Sequence, residues 1–180
     1  LIASGGDIQL DANGQLSLAD TSATGAVNVK AASLDARGPV YAGTALGVQT
    51  QGSVTNRQTL AARDSINLSA GGQLTNAGAI ESGVNADGSR NASGDLNLTA
   101  QNLDNSGKSL TASRNLTVNT AQTLNNQGGT LSGQTTAITA GTLDNRNAGK
   151  VQGNGALSLN ARQVLNNKGV INSSASLTAN

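Results

Sequence analysis

The chain has 180 residues, of which Tyr41 is the only aromatic one, and it contains no Cys, His, Met, Phe or Trp. Its 11 basic and 10 acidic residues leave a formal net charge of +1. This composition excludes disulfide frameworks and thiolate metal sites, and it argues against nucleic-acid binding, which needs basic stripes and stacking aromatics.

A repeat of about 20 residues organises the sequence, and each copy opens with a pair of residues two positions apart that are aliphatic in most copies. A small residue, such as Ala70 or Thr120, follows two positions later. Alternation of apolar and polar residues at period two predicts a β-strand with one inward face. The first member of each pair falls at Ile8, Val27, Leu46, Ile66, Leu96, Leu116, Thr136, Leu157 and Leu177.

Two further aliphatic columns follow the first strand in each repeat. The second column contains Leu34, Val54, Leu74, Leu103, Leu124, Leu143 and Leu165, and the third contains Val40, Leu60, Ile80, Leu110, Leu131, Val151 and Ile171. Polar residues, often with Gly, separate the columns and predict corners between short strands.

An asparagine column lies between the second and third aliphatic columns. Its members are Asn56, Asn76, Asn105, Asn126, Asn145 and Asn167. An Asn amide both donates and accepts hydrogen bonds, and Asn tolerates left-handed backbone. We therefore predict that these side chains stack as a structural ladder at one corner.

The spacing of these columns predicts an all-β fold, a right-handed parallel β-helix (β-solenoid) with about 20 residues per coil and roughly eight to nine coils. A single short strand cannot bury its apolar face, so each coil must stack on its neighbour. The first residues read as the middle of a repeat, and we expect 1–180 to be a single β-helix segment of a longer chain.

One repeat is longer than the others, because the step from Ile66 to Leu96 is 30 residues. We assign the surplus to an inserted surface loop at 81–94, where Asp87-Gly88 predicts a hairpin turn. Glu81, Asp87 and Arg90 are the candidate contact residues of this loop, since function concentrates in loops on rigid scaffolds. A tolerated insertion without a binding role is the alternative.

Two features near the N-terminus depart from the pattern. Ala36 stands where later repeats have the corner asparagine. Tyr41 follows the inward Val40, so alternation points its ring outward, where we interpret it as incidental.

No residue pattern predicts a catalytic site, a metal site or a cofactor. Without His or Cys the usual nucleophile and base arrangements are missing. Acidic residues that could act in pairs are scattered singly, at Asp35, Asp64, Glu81, Asp87 and Asp95. The glycine and aspartate runs of calcium-binding solenoids are present only as fragments, and no apolar run is long enough to insert into a membrane.

The unit L-x-L-x-A, followed by L-x-N-x-G-x-I/L, resembles the haemagglutinin repeats of filamentous-haemagglutinin-like exoproteins. Leu103–Gly107 and Leu124–Gly128 carry this resemblance best. It implies an adhesin or a carrier of contact-dependent growth inhibition toxins, located outside the cell or on the bacterial surface. It also implies a two-partner secretion transporter in the outer membrane as a partner.

Three hypotheses about function follow. The first is a structural shaft that acts as a rigid spacer and presents a distal domain. The second is a direct adhesion module that binds a host glycan or a receptor on the host or target cell, through its surface or the 81–94 loop. The third is a polysaccharide-acting β-helix enzyme, which we favour least, so the chain is not predicted to be an enzyme.

Overall fold

A computed structural model describes residues 2–3 and 5–180, and every regular element in this part of the chain is a β-strand. The strands are short because polar corners interrupt the alternating pattern every few residues. Consistent with this, residues 2–3 and 5–180 contain no helix that is long and apolar enough to cross a membrane.

Three walls of parallel strands build the molecule, and the chain passes through them in turn about nine times. The first wall contains Ile8–Asp11, Val27–Ala31, Ala45–Thr50, Ser65–Ala70, Asp95–Ala100, Asn115–Thr120 and Leu177–Ala179. The second contains Gln15–Leu18, Ser33–Ala36, Val54–Asn56, Gln73–Asn76, Asn102–Asp104 and Thr123–Asn125. The third contains Ile2–Ala3, Thr21–Ala23, Val40–Ala42, Thr59–Ala62, Ala79–Ser82, Ser109–Ala112, Thr130–Gly133, Lys150–Gly153 and Val170–Ser173. Two long strands, Thr135–Asp144 and Leu157–Leu165, run through the first wall and into the second.

Neighbouring coils pair the same position of the repeat. Leu96 lies opposite Leu116 on the first wall, and Leu110 lies opposite Leu131 on the third. The prediction of a parallel β-solenoid with about 20 residues per turn is confirmed.

The core lies between the three walls and is lined by the aliphatic columns. In one coil, Leu116 on the first wall, Leu124 on the second and Leu131 on the third are each at most 1% exposed. Stacked aliphatic side chains replace the aromatic residues that this composition lacks. At Gly133 an added Cβ would lie 2.7 Å from the carbonyl oxygen of Thr135, so this narrow corner requires glycine.

The predicted alignment of the last long coil is wrong by one residue on the second wall. Leu143 pairs with Val164, and Asp144 pairs with Leu165. Strand Leu157–Leu165 passes through the corner without a turn, so only seven residues separate Leu157 from Val164. The sequence L-N-N-x-G, which begins at Leu165, favours Leu165 for the second aliphatic column, but the strand pairing places Val164 there.

The insertion begins later than the predicted 81–94 range. Glu81 and Ser82 belong to the third wall, where they pair with Thr111 and Ala112, so the loop spans 83–94. Val84 and Arg90 form an antiparallel bridge, which closes a small hairpin. Gly88 adopts the positive φ of 81° that the turn requires.

Candidate functional site

A column of asparagine amides runs along the corner between the second and third walls. In each step the Nδ2 of one residue donates to the Oδ1 of the next. The donor–acceptor distances are 2.8 Å for Asn56–Asn76, Asn76–Asn105, Asn105–Asn126 and Asn126–Asn145, and 2.7 Å for Asn145–Asn166. We call this column the asparagine ladder.

From Asn56 to Asn145, each amide of the ladder also binds the backbone of two coils. Asn126 donates to the carbonyl of Gly129 in its own corner at 3.3 Å, and to the carbonyl of Lys150 in the next coil at 3.0 Å. Asn126 is fully buried, and a buried polar group of this kind is stable only with its partners in place. The ladder therefore holds both the corner and the contact between coils.

The two ends of the ladder differ. At the N-terminal end the equivalent positions are Ala36 and Leu18, both buried and apolar. At the C-terminal end the sixth member is Asn166, and the prediction of Asn167 is wrong. Asn166 takes this position because of the one-residue shift of strand Leu157–Leu165.

Acidic side chains on the outer surface form ion pairs with arginines. Asp35 is 5% exposed and lies between Arg37 in its own corner, at 2.8 Å, and Arg57 in the next coil, at 2.7 Å. Hydrogen bonds from Arg57 and Arg37 hold the pKa of Asp35 below its ordinary value. This cluster, Asp35 with Arg37 and Arg57, joins two coils from outside at the coils where the ladder is absent or begins.

Two further carboxylates are engaged in the same way. The carboxylate of Asp95 accepts a hydrogen bond of 2.8 Å from Arg114 in the next coil, and Asp144 accepts one of 2.9 Å from Arg146. The pKa of each carboxyl group is lowered, chiefly by its arginine partner. These carboxylates therefore act as surface groups that stabilise the fold through ion pairs.

The structure brings two of the three predicted contact residues of the loop into direct contact. Arg90 forms an ion pair with Glu81 at 3.1 Å. Asp87 lies at the turn, where it accepts a hydrogen bond of 2.6 Å from the Ser89 hydroxyl, and this bond lowers the pKa of Asp87. All three side chains thus have partners within the loop or at its base.

Tyr41 has a place in this region that the sequence reasoning missed. Its hydroxyl donates a hydrogen bond of 3.3 Å to the carbonyl of Val84 in the hairpin, 43 residues along the chain. Partial burial raises the pKa of this hydroxyl. The sequence does single out Tyr41 as the only aromatic residue. The alternation of inward and outward residues, however, does not predict that its hydroxyl contacts the hairpin.

No metal centre is built by the described residues. Across 2–3 and 5–180, no three side chains of His, Cys, Asp or Glu lie close enough together to hold an ion. The candidate acids Asp35, Asp64, Glu81 and Asp95 each pair with arginine.

Comparison with known protein families identifies the repeat. The model of the haemagglutinin repeat matches residues 1–20, 22–78, 81–147 and 130–180. The chain belongs to the haemagglutinin repeat family. The resemblance drawn from Leu103–Gly107 and Leu124–Gly128 is therefore confirmed. No curated protein and no solved structure matches the chain.

Membership fixes the general character of the molecule. Haemagglutinin repeats are structural and adhesive units, not enzymes, and they are typical of secreted, surface-associated proteins. The repeat and the β-solenoid together fit a segment of a filamentous-haemagglutinin-like shaft.

Proposed function

We propose that this chain is a shaft segment of a secreted filamentous exoprotein and acts as a rigid spacer that presents a distal domain. The observation that supports this role is the continuous register of all three walls, which pairs the same repeat position from coil to coil. Apart from the hairpin, each coil contributes strands to the same three walls as its neighbours.

The geometry supplies both length and stiffness. Adjacent parallel strands are about 4.8 Å apart, so nine coils form a rod of about 40 Å. Bending such a rod would stretch inter-coil backbone hydrogen bonds on one side, compress them on the other, and disturb the buried columns and the asparagine ladder.

Export through an outer-membrane two-partner secretion transporter is the second part of the proposal. Family membership supports it, and so does the nearest-neighbour character of the contacts. The strands of each coil pair only with strands of the coils before and after it, and the hairpin, which reaches Tyr41 two coils back, is the exception among the contacts described. A chain that emerges progressively can therefore fold coil by coil. Folding outside the cell would also oppose the chain's return.

A register-preserving deletion tests the spacer. Asp95 and Asn115 lie at the same repeat position, and Asn115 pairs with Thr135, so removing 96–135 joins equivalent positions and deletes two coils. We expect a folded rod that is shorter by about 10 Å in small-angle X-ray scattering. The matched control removes 96–105, half a coil, and should lose β-structure.

A surface exchange in the full exoprotein separates the spacer from direct adhesion. The outward residues Asn97, Thr99, Thr117 and Asn119 are replaced by serine while every inward residue is kept. A spacer tolerates this exchange but loses the reach of its distal domain when coils are deleted. Adhesion that falls in the exchanged variant, with surface display unchanged, would contradict a role as a spacer alone and favour the shaft surface as the binding element.

The hairpin is tested by its own deletion. Removing 84–93 leaves Gly83 and Gly94 in place of the two corner residues Ser113 and Arg114 of the next coil, and restores a 20-residue step. The spacer hypothesis expects normal length and display in this variant.

A further inference from the structure

The surface around Tyr41 differs from the rest of the third wall. Ser22, Tyr41 and Ala61 follow one another in its outward column. Ser22 is small, so the Tyr41 ring stands above the wall on that side. Tyr41 is the only aromatic residue of the chain.

The hairpin lies back over the wall beside this ring. Ala61 sits between the inward residues Leu60 and Ala62 and therefore faces outward, yet it is only 7% exposed. The Tyr41 hydroxyl reaches the Val84 carbonyl at 3.3 Å, and the Asn91 side chain donates to the Arg63 carbonyl at 2.8 Å. These contacts place the hairpin on the Tyr41 side of its own coil.

Two hollows adjoin the Tyr41 ring. One, of about 540 Å³, is lined by Ser22, Thr24, Tyr41, Gly43, Arg63 and Ala86. The other, of about 390 Å³, is lined by Ile2, Asp20, Ser22, Pro39 and Tyr41. They share Ser22 and Tyr41, so the ring is accessible from both.

The floor and the hairpin wall of the larger hollow are fixed by close packing. An added Cβ at Gly43 would lie 2.1 Å from the carbonyl oxygen of Thr24, so the backbone itself forms the floor. At the base of the hairpin, an added Cβ at Gly94 would lie 2.0 Å from the backbone nitrogen of Gly83. The ion pair of Arg90 with Glu81 holds the hairpin further. A hollow formed in advance spares a ligand the cost of ordering it.

We propose that these two hollows form a binding site for a neutral saccharide. A sugar ring has an apolar C–H face, which suits Tyr41 and Pro39, and a rim of hydroxyls, which suits the side chains of Ser22, Thr24 and Arg63. Binding sites for small ligands combine an apolar surface with a few placed polar groups in this way.

The charges near the ring favour a neutral ligand over a sulfated one. Asp20 places a carboxylate beside the smaller hollow. Arg63, the charged residue that lines the larger hollow, is already within 3.5 Å of the Asp64 carboxylate. This inference goes beyond the spacer function, which can hold with or without the site.

A glycan array of neutral and sulfated oligosaccharides tests the site, followed by calorimetric titration with the neutral oligosaccharide that binds best. Because the chain has one tyrosine and no tryptophan, tyrosine fluorescence of the unmodified chain reports binding at this position. We expect neutral glycans to bind and to change this fluorescence. Tyr41→Ala should weaken binding by about tenfold or more, since it removes the stacking surface.

Two further variants keep the test clear of folding effects. Ser22→Leu retains Tyr41 but fills the space shared by both hollows, and it should also abolish binding. Thr111→Leu makes the same kind of change at an equivalent outward position on the third wall and should bind normally. Far-UV circular dichroism checks that each variant is folded. The proposal is overturned by an array without neutral binders, or by neutral binding that Tyr41→Ala and Ser22→Leu leave unchanged.

Discussion

Replacing Asn126 by alanine tests the asparagine ladder at its most connected position. The Asn126 amide accepts a hydrogen bond from Asn105 and donates to Asn145, Gly129 and Lys150, with distances of 2.8, 2.8, 3.3 and 3.0 Å. The substitution removes all four bonds inside a fully buried corner.

The expected cost follows from what the remaining groups can still do. The Nδ2 of Asn105 keeps its bonds to the carbonyls of Lys108 and Thr130. The Oδ1 of Asn145 loses its donor, and one unpaired buried acceptor costs about 1–3 kcal/mol. With the other lost bonds included, we expect the free energy of unfolding to fall by about 2–4 kcal/mol.

Two control variants test whether the loss of stability depends on the position of the asparagine in the ladder. Asn166→Ala removes only the terminal bond, which is 2.7 Å long and lies at an exposed residue. We expect it to cost about 1 kcal/mol or less. Asn167→Ala alters no side-chain contact of the ladder and should be close to neutral.

Urea unfolding followed by far-UV circular dichroism measures the three variants. Amide hydrogen exchange should accompany it, because a solenoid can open locally and depart from two-state behaviour. Faster exchange in the Asn126→Ala variant should centre on the corners of the neighbouring coils. Equal losses in Asn126→Ala and Asn167→Ala would refute the role of the ladder, and a larger loss in Asn167→Ala than in Asn166→Ala would refute the register.

Two more predictions concern the faces of the walls and the outer charges. Leu124→Asp should lower the free energy of unfolding by about 4 kcal/mol or more, because it buries an unpaired charge. Thr117→Asp faces outward and should change the free energy of unfolding little. Similar urea midpoints for the two variants would mean that the inward and outward faces are assigned wrongly. In the folded state the pKa of the Asp35 carboxyl group lies below its ordinary value of 3.8. Its ion pairs therefore stabilise the fold above pH 3.8, and this stabilisation is lost as the pH falls through the pKa of Asp35 in the folded state. The difference in urea midpoint between the unmodified chain and Asp35→Asn should thus be constant from about pH 5 to 7 and shrink below about pH 4. A difference that stays the same down to pH 2 would show that Arg37 and Arg57 do not act through the Asp35 charge.

The asparagine column shows where pattern reasoning succeeds and where it stops. Five of its six predicted positions correspond to amides of the ladder, because column residues recur about every 20 residues outside the coil that carries the hairpin. The sixth predicted position, Asn167, is wrong because the step along the chain from the first aliphatic column to the second can be seven or eight residues. Thr136 to Leu143 is seven, and Leu116 to Leu124 is eight. Only the pairing with the preceding coil decides between Val164 and Leu165.

The sequence by itself determined the strand rhythm, the inward and outward faces, and the stacking of coils, because these depend on period-two alternation and on a repeat that each coil shares with its neighbour. The tertiary structure decided which way the hairpin lies, that Ala61 is covered, and that Tyr41 meets Val84. The Tyr41–Val84 contact joins residues two coils apart, the hairpin occurs in one coil alone, and no periodic pattern specifies either. For the same reason the repeat predicts a shaft, whereas the candidate saccharide site on its surface emerges only once the coils are stacked.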